Sequence, residues 1–317
     1  MPPWISLAFV NRQGRLRNGW WLAAFFLVLA ALLFPAILVA AHFNREVSLW
    51  EQLGLIAVAT IIIQTLRRRP LVEVTGAMDR RWIVCLAIGV LLGGLLMALP
   101  ALGLAAAGLL RFELAPATPQ RLANTIALML AVAMAEELLF RGVLFQRLID
   151  GLGVWPAQAL TALLFVLTHL NNPGMEGATK LWAASNIFLA SVLFGLAFVR
   201  TQSLALPIGL HFMANVTQGV ILGFGVSGQS EPSLLIPRFS DAPTWLTGGA
   251  FGLEASLPGL LTLLALLAGL AHFLRPSNVA DGKRDYIVGS AQISRSRPRN
   301  QRCAGSDSIR GCQRSDT

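Results

Sequence analysis

Hydrophobic residues run along this chain in long blocks rather than in alternation. Eight blocks stand out, at roughly 20–41, 52–66, 82–107, 122–148, 155–171, 181–199, 204–223 and 258–274. A helix needs about 20 apolar residues to cross the hydrocarbon core of a bilayer, and the blocks are of that size. The pattern therefore predicts an all-α fold: a polytopic membrane helix bundle of about eight transmembrane helices. The second block is short and stops at Arg67-Arg68-Arg69. The third is long and holds Gly93, Gly94 and Pro100, which predicts a tilt or a kink. The first block follows Arg12, Arg15 and Arg17 and is too long for a signal-peptide core, so it reads as a retained anchor. Between the last two blocks, Gly225 to Pro258 reads as a Gly/Ser/Pro-rich loop with Trp245 and Phe251 resting at the membrane interface. From Pro276 onward the chain is polar and basic and is expected to be disordered. No internal repeat has a fixed period.

The short segments between blocks alternate in charge. Arg12, Arg15 and Arg17 precede the first block, Arg67 to Arg69 with Arg80 and Arg81 follow the second, Arg147 closes the fourth, and Arg200 and Arg275 follow the sixth and eighth. These fall on one side if there are eight spans with both termini cytoplasmic. The opposite loops offset their bases with acids: Arg45 with Glu46 and Glu51, Arg111 with Glu113, Lys180 with Glu176. Positive loops stay in the cytoplasm, and removing the second block would break the alternation. The expected organisation is a cytoplasmic segment at 1–19, an integral membrane domain at 20–274 and a cytoplasmic tail at 275–317. The expected location is the cell membrane, multi-pass.

Composition agrees with this class. Hydrophobic residues are 55% of the chain and charged residues 13%, half the usual share of a soluble domain. Mean hydropathy is +0.63. The net charge of +9 sits at block ends and in the tail, so it signals contact with the lipid bilayer and no nucleic-acid partner. Cys85, Cys303 and Cys312 form neither a zinc spacing nor a disulfide framework.

Chemistry enters at Ala135-Glu136-Glu137-Leu138-Leu139-Phe140-Arg141-Gly142, where three charges interrupt the fourth apolar block. A charge near a bilayer centre costs about 2.5–3.5 kcal/mol on insertion scales and marks a functional site by default. Glu137 and Arg141 stand four apart with the acid first, the favourable order for a helical ion pair. Glu136 is rotated about 100° away and has no base at +3 or +4, which leaves it as the unpaired carboxylate. His169 shares a helix face with Phe165, and His211 with Asn215. Lipid cannot satisfy such side chains, so they face the bundle interior. Counted at ~1.5 Å per residue from the cytoplasmic ends, Glu136, His169, His211 and Asn215 lie about 16, 21, 10 and 16 Å deep. This predicts a shared, buried polar cavity. A carboxylate there can act as general base on water, a histidine can share that water, and a second histidine with an amide can donate to an oxyanion. Zinc stays open as a cofactor, with Glu136, His169 and His211 as its ligands, although H-E-x-x-H is absent. Ser191 has no base at helical spacing and reads as a packing residue.

Glu136-Glu137-x-x-x-Arg141, Phe165-x-x-x-His169 and His211-x-x-x-Asn215, in that order on successive apolar helices, resemble the CPBP family of intramembrane proteases. That family includes the Rce1-type CAAX prenyl endopeptidases and the bacteriocin-processing and immunity proteins, and the resemblance covers residues 120–222. It implies an eight-helix bundle with a cavity open to one side. It implies Glu136 as the residue activating water, His169 as its assistant, and His211 and Asn215 as the oxyanion site. Arg141 carries over as structural support, with Glu137 and Phe165 beside it. The implied partner is a membrane-anchored protein or peptide substrate, prenylated or a leader peptide. The rival readings are a non-catalytic immunity or scaffold protein and a transporter with a polar midplane site.

Overall fold

The computed structural model describes residues 9–10 and 14–273, so the tail expected at 275–317 lies outside the described residues. The helices fall where the apolar blocks predict. In chain order they are α1 (Asn18–His42), α2 (Leu49–Leu66), the short α3 (Val72–Thr75), α4 (Arg80–Ala106) and α5 (Pro119–Glu137). They continue with α6 (Phe145–Leu152), α7 (Val154–His169), α8 (Gly177–Thr201), α9 (Ala205–Asn215), the short α10 (Thr244–Thr247) and α11 (Leu257–Phe273). Four stretches are long and apolar enough to cross a membrane: α1, α2, α3 with α4, and α8; α7 and α11 are shorter apolar helices. These make the chain a membrane protein.

Local chemistry explains the helix starts. The short second block forms a complete helix because Ser48 and Glu51 make a reciprocal cap. The Ser48 hydroxyl accepts from the Glu51 amide at 3.3 Å, and the Glu51 carboxylate accepts from the Ser48 amide at 2.8 Å. Asp79 caps α4 through the Trp82 amide at 3.0 Å. Thr118 caps α5, with Pro119 in the first helical position.

The structure departs from the sequence expectations in three places. The fold is not all-α: Leu110–Leu114 (β1) pairs antiparallel with Leu235–Phe239 (β2), with Phe112 opposite Pro237. The fourth block is not one helix. α5 ends at Glu137, residues 138–144 adopt the wider π register, and α6 follows. α4 runs as one helix through Gly93, Gly94 and Pro100. Phe251 does not rest at the interface but is fully buried, in a core cluster with Phe140, Phe165 and Ile187. Trp245 remains partly exposed.

The loop ends meet at two opposite ends of the bundle. At one, Glu73 is buried and accepts from Arg67 Nη2 at 3.0 Å and Arg147 Nη2 at 2.8 Å. The Thr75 carbonyl accepts from the Ser203 hydroxyl at 3.3 Å, and the Ala271 carbonyl from Arg200 at 3.0 Å. Arg67, Arg147 and Arg200 are thus gathered with the end of α11 at Ala271. At the other end lie the two-stranded sheet and the Arg238–Glu113 pair at 2.9 Å.

Candidate active site

α4 and α9 set the frame. A side chain at Gly89 or Gly93 would overlap the backbone of α9 at Leu206 and Leu210, and one at Gly209 would overlap the Leu86 carbonyl of α4. Small residues let two backbones approach this closely. The contact holds α9, and with it His211 and Asn215, against the bundle core formed by Leu96, Met97, Leu206 and Leu210.

Glu136 and Glu137 close α5 and point to different surroundings. Glu137 is fully buried. Its Oε1 accepts from Arg141 Nη1 at 3.2 Å and from His211 Nδ1 at 3.0 Å. Arg141, also fully buried, donates through Nη2 to the Ser191 hydroxyl at 2.8 Å and carbonyl at 3.0 Å. Its guanidinium also lies 5.0 Å from the Phe165 ring centre and 5.2 Å from that of Phe194. The expected ion pair is therefore present, and Ser191 is its third member rather than mere packing. The π register that carries Arg141 ends in a non-helical turn at Gly142, with ψ −123°. A second π segment, 216–221, directly follows Asn215. Such segments occur often at functional sites because they re-aim side chains without ending the helix.

Glu136 turns instead to an open space. Its side chain is 29% exposed against none for Glu137, and His211 Nε2 lies 3.8 Å from its carboxylate. The space is a cavity of about 200 Å³ whose walls include Glu136, Phe165, His169, His211 and Asn215. The four polar residues singled out in the sequence thus meet at one cavity. Glu137 and Arg141 lie behind it.

The histidines are held in defined tautomers. His169 Nδ1 lies 2.7 Å from the Phe165 carbonyl oxygen. A carbonyl only accepts, so Nδ1 carries the proton and Nε2 keeps its lone pair. His211 Nδ1 donates to the Glu137 carboxylate, which leaves its Nε2 facing Glu136. The His211 ring stacks on Phe194 at 4.9 Å, and Phe165 stands edge-on to it at 6.4 Å while touching His169 at 4.7 Å. Phe165 is a spacer between the two imidazoles.

The loop from Gly223 to Ser256 supplies polar wall residues that the motifs do not contain: Ser227, Gln229, Glu231 and Glu254, with Asn172 and Asn186 from elsewhere. Glu254 Oε1 accepts from the Ser227 amide and from Gln218 Nε2 at 3.1 Å. Burial pushes the Glu254 carboxyl above the ordinary glutamate range, against the opposing pull of the Ser227 amide and of nearby His169. Burial pushes Glu231 up as well. A lone acid at position 254, inside an apolar stretch just before the last helix, was the one signal the sequence held. Asn186 Nδ2 donates to the Trp182 carbonyl at 2.9 Å and reaches the Ser256 carbonyl at 3.4 Å, so it does serve as a helix contact.

Zinc does not fit this donor set. Among the described residues no three of His, Cys, Asp or Glu converge closely enough to hold an ion.

A polar site of carboxylate, imidazoles and amide, enclosed by apolar helices, defines a class of membrane protein that handles a polar reaction away from bulk water. Residues 118–217, just under a third of the chain, match the family model described as Type II CAAX prenyl endopeptidase Rce1-like. The match falls on the segment that carries the three motifs, and the matched family is one of proteases. A search of curated proteins found no match to the chain.

Proposed function

We propose that this chain is an intramembrane endopeptidase that hydrolyses a peptide bond of a membrane-anchored protein or peptide, with Glu136 activating the water. The observation that carries the reading is the division of labour between adjacent carboxylates. Glu137 is committed to Arg141 and His211, while Glu136 makes no hydrogen bond among the described residues, stands 3.8 Å from His211 Nε2 and faces the cavity. Water held there gives a proton to Glu136 as its oxygen adds to the carbonyl carbon. His169 accepts from the same water through its Nε2 lone pair. Asn215 donates to the oxyanion, and His211 joins it through Nε2. The second proton this asks of His211 sits between two carboxylates, Glu136 and Glu137, which compensate its charge. The C–N bond then breaks and Glu136 returns the proton to the leaving amine. No step passes through a metal.

The eight-span arrangement with both termini cytoplasmic belongs to the same proposal. It is supported by the charge alternation between the apolar blocks and by the gathering of Arg67, Arg147 and Arg200 at one end of the bundle.

The test is cleavage of a membrane-anchored peptide by purified protein in liposomes. Glu136→Gln keeps the side-chain shape and removes the base, so turnover falls by about 10²–10⁴-fold while folding is kept. His169→Ala falls comparably. Asn215→Ala falls less, by the loss of one oxyanion donor, at most about 2.7–4 kcal/mol. Equal turnover by wild type and Glu136→Gln would remove Glu136 from the mechanism and favour a binding-only protein.

A further inference from the structure

The two site histidines are both held at Nδ1, but by partners of different charge. His211 Nδ1 donates to the Glu137 carboxylate at 3.0 Å. His169 Nδ1 donates to the Phe165 carbonyl at 2.7 Å. A carbonyl fixes the tautomer and the ring, yet it has no charge with which to offset an imidazolium. When His169 Nε2 draws on a proton of the water, the positive charge that gathers on the ring needs an anion from elsewhere. A charge left uncompensated in an enclosed site is costly.

Glu254 stands where that anion is needed. It lines the same cavity as His169, and the two charges are close enough to act on one another. Glu231 lines the cavity too, but its carboxyl feels burial rather than His169. Among the described residues both donors to Glu254, the Ser227 amide and Gln218 Nε2 at 3.1 Å, meet Oε1, which leaves Oε2 to the cavity. Gln218 is itself fixed by the Gly225 carbonyl at 2.6 Å. Ser227 has φ 47°, a left-handed conformation that costs a non-glycine residue and persists only where its surroundings enforce it. The limb that carries Glu254 is pinned on both sides. The Gly228 amide donates to the Phe251 carbonyl at 3.2 Å, and Asn186 Nδ2 reaches the Ser256 carbonyl at 3.4 Å. A side chain at Gly252 would overlap the Gly225 carbonyl. A rigidly held acid whose charged form burial disfavours, in the wall of a reaction cavity, is the kind of group that is kept for function at a cost in stability.

We propose that Glu254 is a positioning residue for His169: its carboxylate, carried on the loop limb before α11, offsets the charge that the imidazole takes up from the attacking water. The reaction named here rests on the endopeptidase reading; the pairing of Glu254 with His169 does not. The cavity then holds two acid–imidazole couples. Glu136 and His211, 3.8 Å apart, come from α5 and α9, and Glu254 and His169 come from the loop and α7. Glu136 receives one proton of the water, and the second couple bears on the other. Residue 254 lies outside 118–217, so the segment that matches the family model does not complete the site by itself.

Two substitutions in the full-length protein separate charge from hydrogen bonding. Glu254→Gln keeps an accepting oxygen for Ser227 and Gln218 and removes the charge, whereas Glu254→Asp keeps the charge on a shorter arm. For a membrane-anchored peptide, kcat is expected to fall about tenfold or more in Glu254→Gln, with KM changed by less than about twofold. Its melting temperature is expected to be no lower than that of wild type. Glu254→Asp is expected to lose less turnover than Glu254→Gln. Turnover by Glu254→Gln equal to or above that of Glu254→Asp would assign the residue to hydrogen bonding alone and overturn the proposal. Glu231→Gln removes an equal charge from the same wall, and an equal loss there would overturn the pairing with His169. A second readout needs no turnover. Diethyl pyrocarbonate attacks the unprotonated imidazole, and a neighbouring carboxylate holds the proton on the ring, so carbethoxylation of His169 at neutral pH is expected to be about threefold or more faster in Glu254→Gln. The rate is read by mass spectrometry against the exposed His42. An unchanged rate would overturn the proposal whether or not wild type cleaves the peptide. A faster rate in a protein that cleaves nothing would remove the endopeptidase reading and leave the pairing standing.

Discussion

Arg141 is the residue on which the site's electrostatics turn. It has no solvent exposure, yet it is joined to Glu137, to Ser191 and to the faces of two phenylalanines. Removing one member of a buried pair leaves the other as an uncompensated charge, at a cost of about 3–5 kcal/mol. Arg141→Ala is therefore expected to lower thermal stability in detergent by that order and to abolish cleavage. Arg141→Lys is expected to restore little, because a point charge cannot reach Glu137 and Ser191 together or stack between rings. Unchanged thermal stability of Arg141→Ala would show that the pair contributes nothing to the fold. The Glu137–Arg141 pair was legible in the sequence because helical spacing alone predicts it. The Glu137–His211 bond was not, since the two residues lie 74 positions apart and only tertiary packing brings them together. The same reason hid Phe194, whose ring backs His211 from α8.

Among elements, the glycine contact of α4 with α9 decides how firmly the second histidine is held. Gly93→Val would force these backbones apart, and overpacking of this kind costs about 1–3 kcal/mol. Since α9 carries His211 and Asn215, turnover is expected to fall further than stability does. Gly103→Val is the control, because a side chain there meets nothing within 4 Å. Equal effects of the two substitutions on turnover and melting temperature would refute a special role for the contact. At this scale the apolar blocks predicted the long helices to within a few residues except where π segments follow α5 and α9, because burial and bilayer length favour regular helix. What they did not reveal has a physical cause in each case. β1 and β2 are five residues each, separated by 120 residues, with no tight turn to announce their pairing. The π segments differ from α-helix only in hydrogen-bond register, which no spacing of apolar residues encodes. The glycines of α4 announce flexibility in isolation and a close neighbour only once α9 is beside them.

For the whole molecule, the loop between α9 and α11 is part of the site rather than a link between spans. Glu254 joins it to the cavity wall through Ser227 and Gln218. The raised carboxyl of Glu254 has a stability consequence whose sign follows from linkage. A group whose folded pKa lies above its unfolded value contributes stability that is complete below the unfolded value. That contribution is lost as pH rises through the folded one. Wild type should thus lose stability relative to Glu254→Gln between the ordinary glutamate range and the higher value set by burial, and match it in more acid solution. Glutamine keeps the accepting oxygen for Ser227 and Gln218, so the comparison isolates charge. A melting-temperature difference independent of pH across that interval would mean that Glu254 is not desolvated.

The β1–β2 pairing gives this loop a property that its length alone would not suggest. Arg238 is an exposed arginine in the long stretch between two membrane helices, where trypsin would ordinarily cut. Its backbone is extended and paired opposite Arg111, and the upstream limb is tied by the Leu234 amide to the Val220 carbonyl at 2.7 Å. A protease must lift several residues out of such a pairing before the bond fits its cleft. In sealed vesicles with the sheet end outward, Arg238 is expected to resist digestion for as long as the bundle stays folded. A nick after Arg238 then becomes a clock for opening of the sheet, readable on a gel without any knowledge of what the protein cleaves.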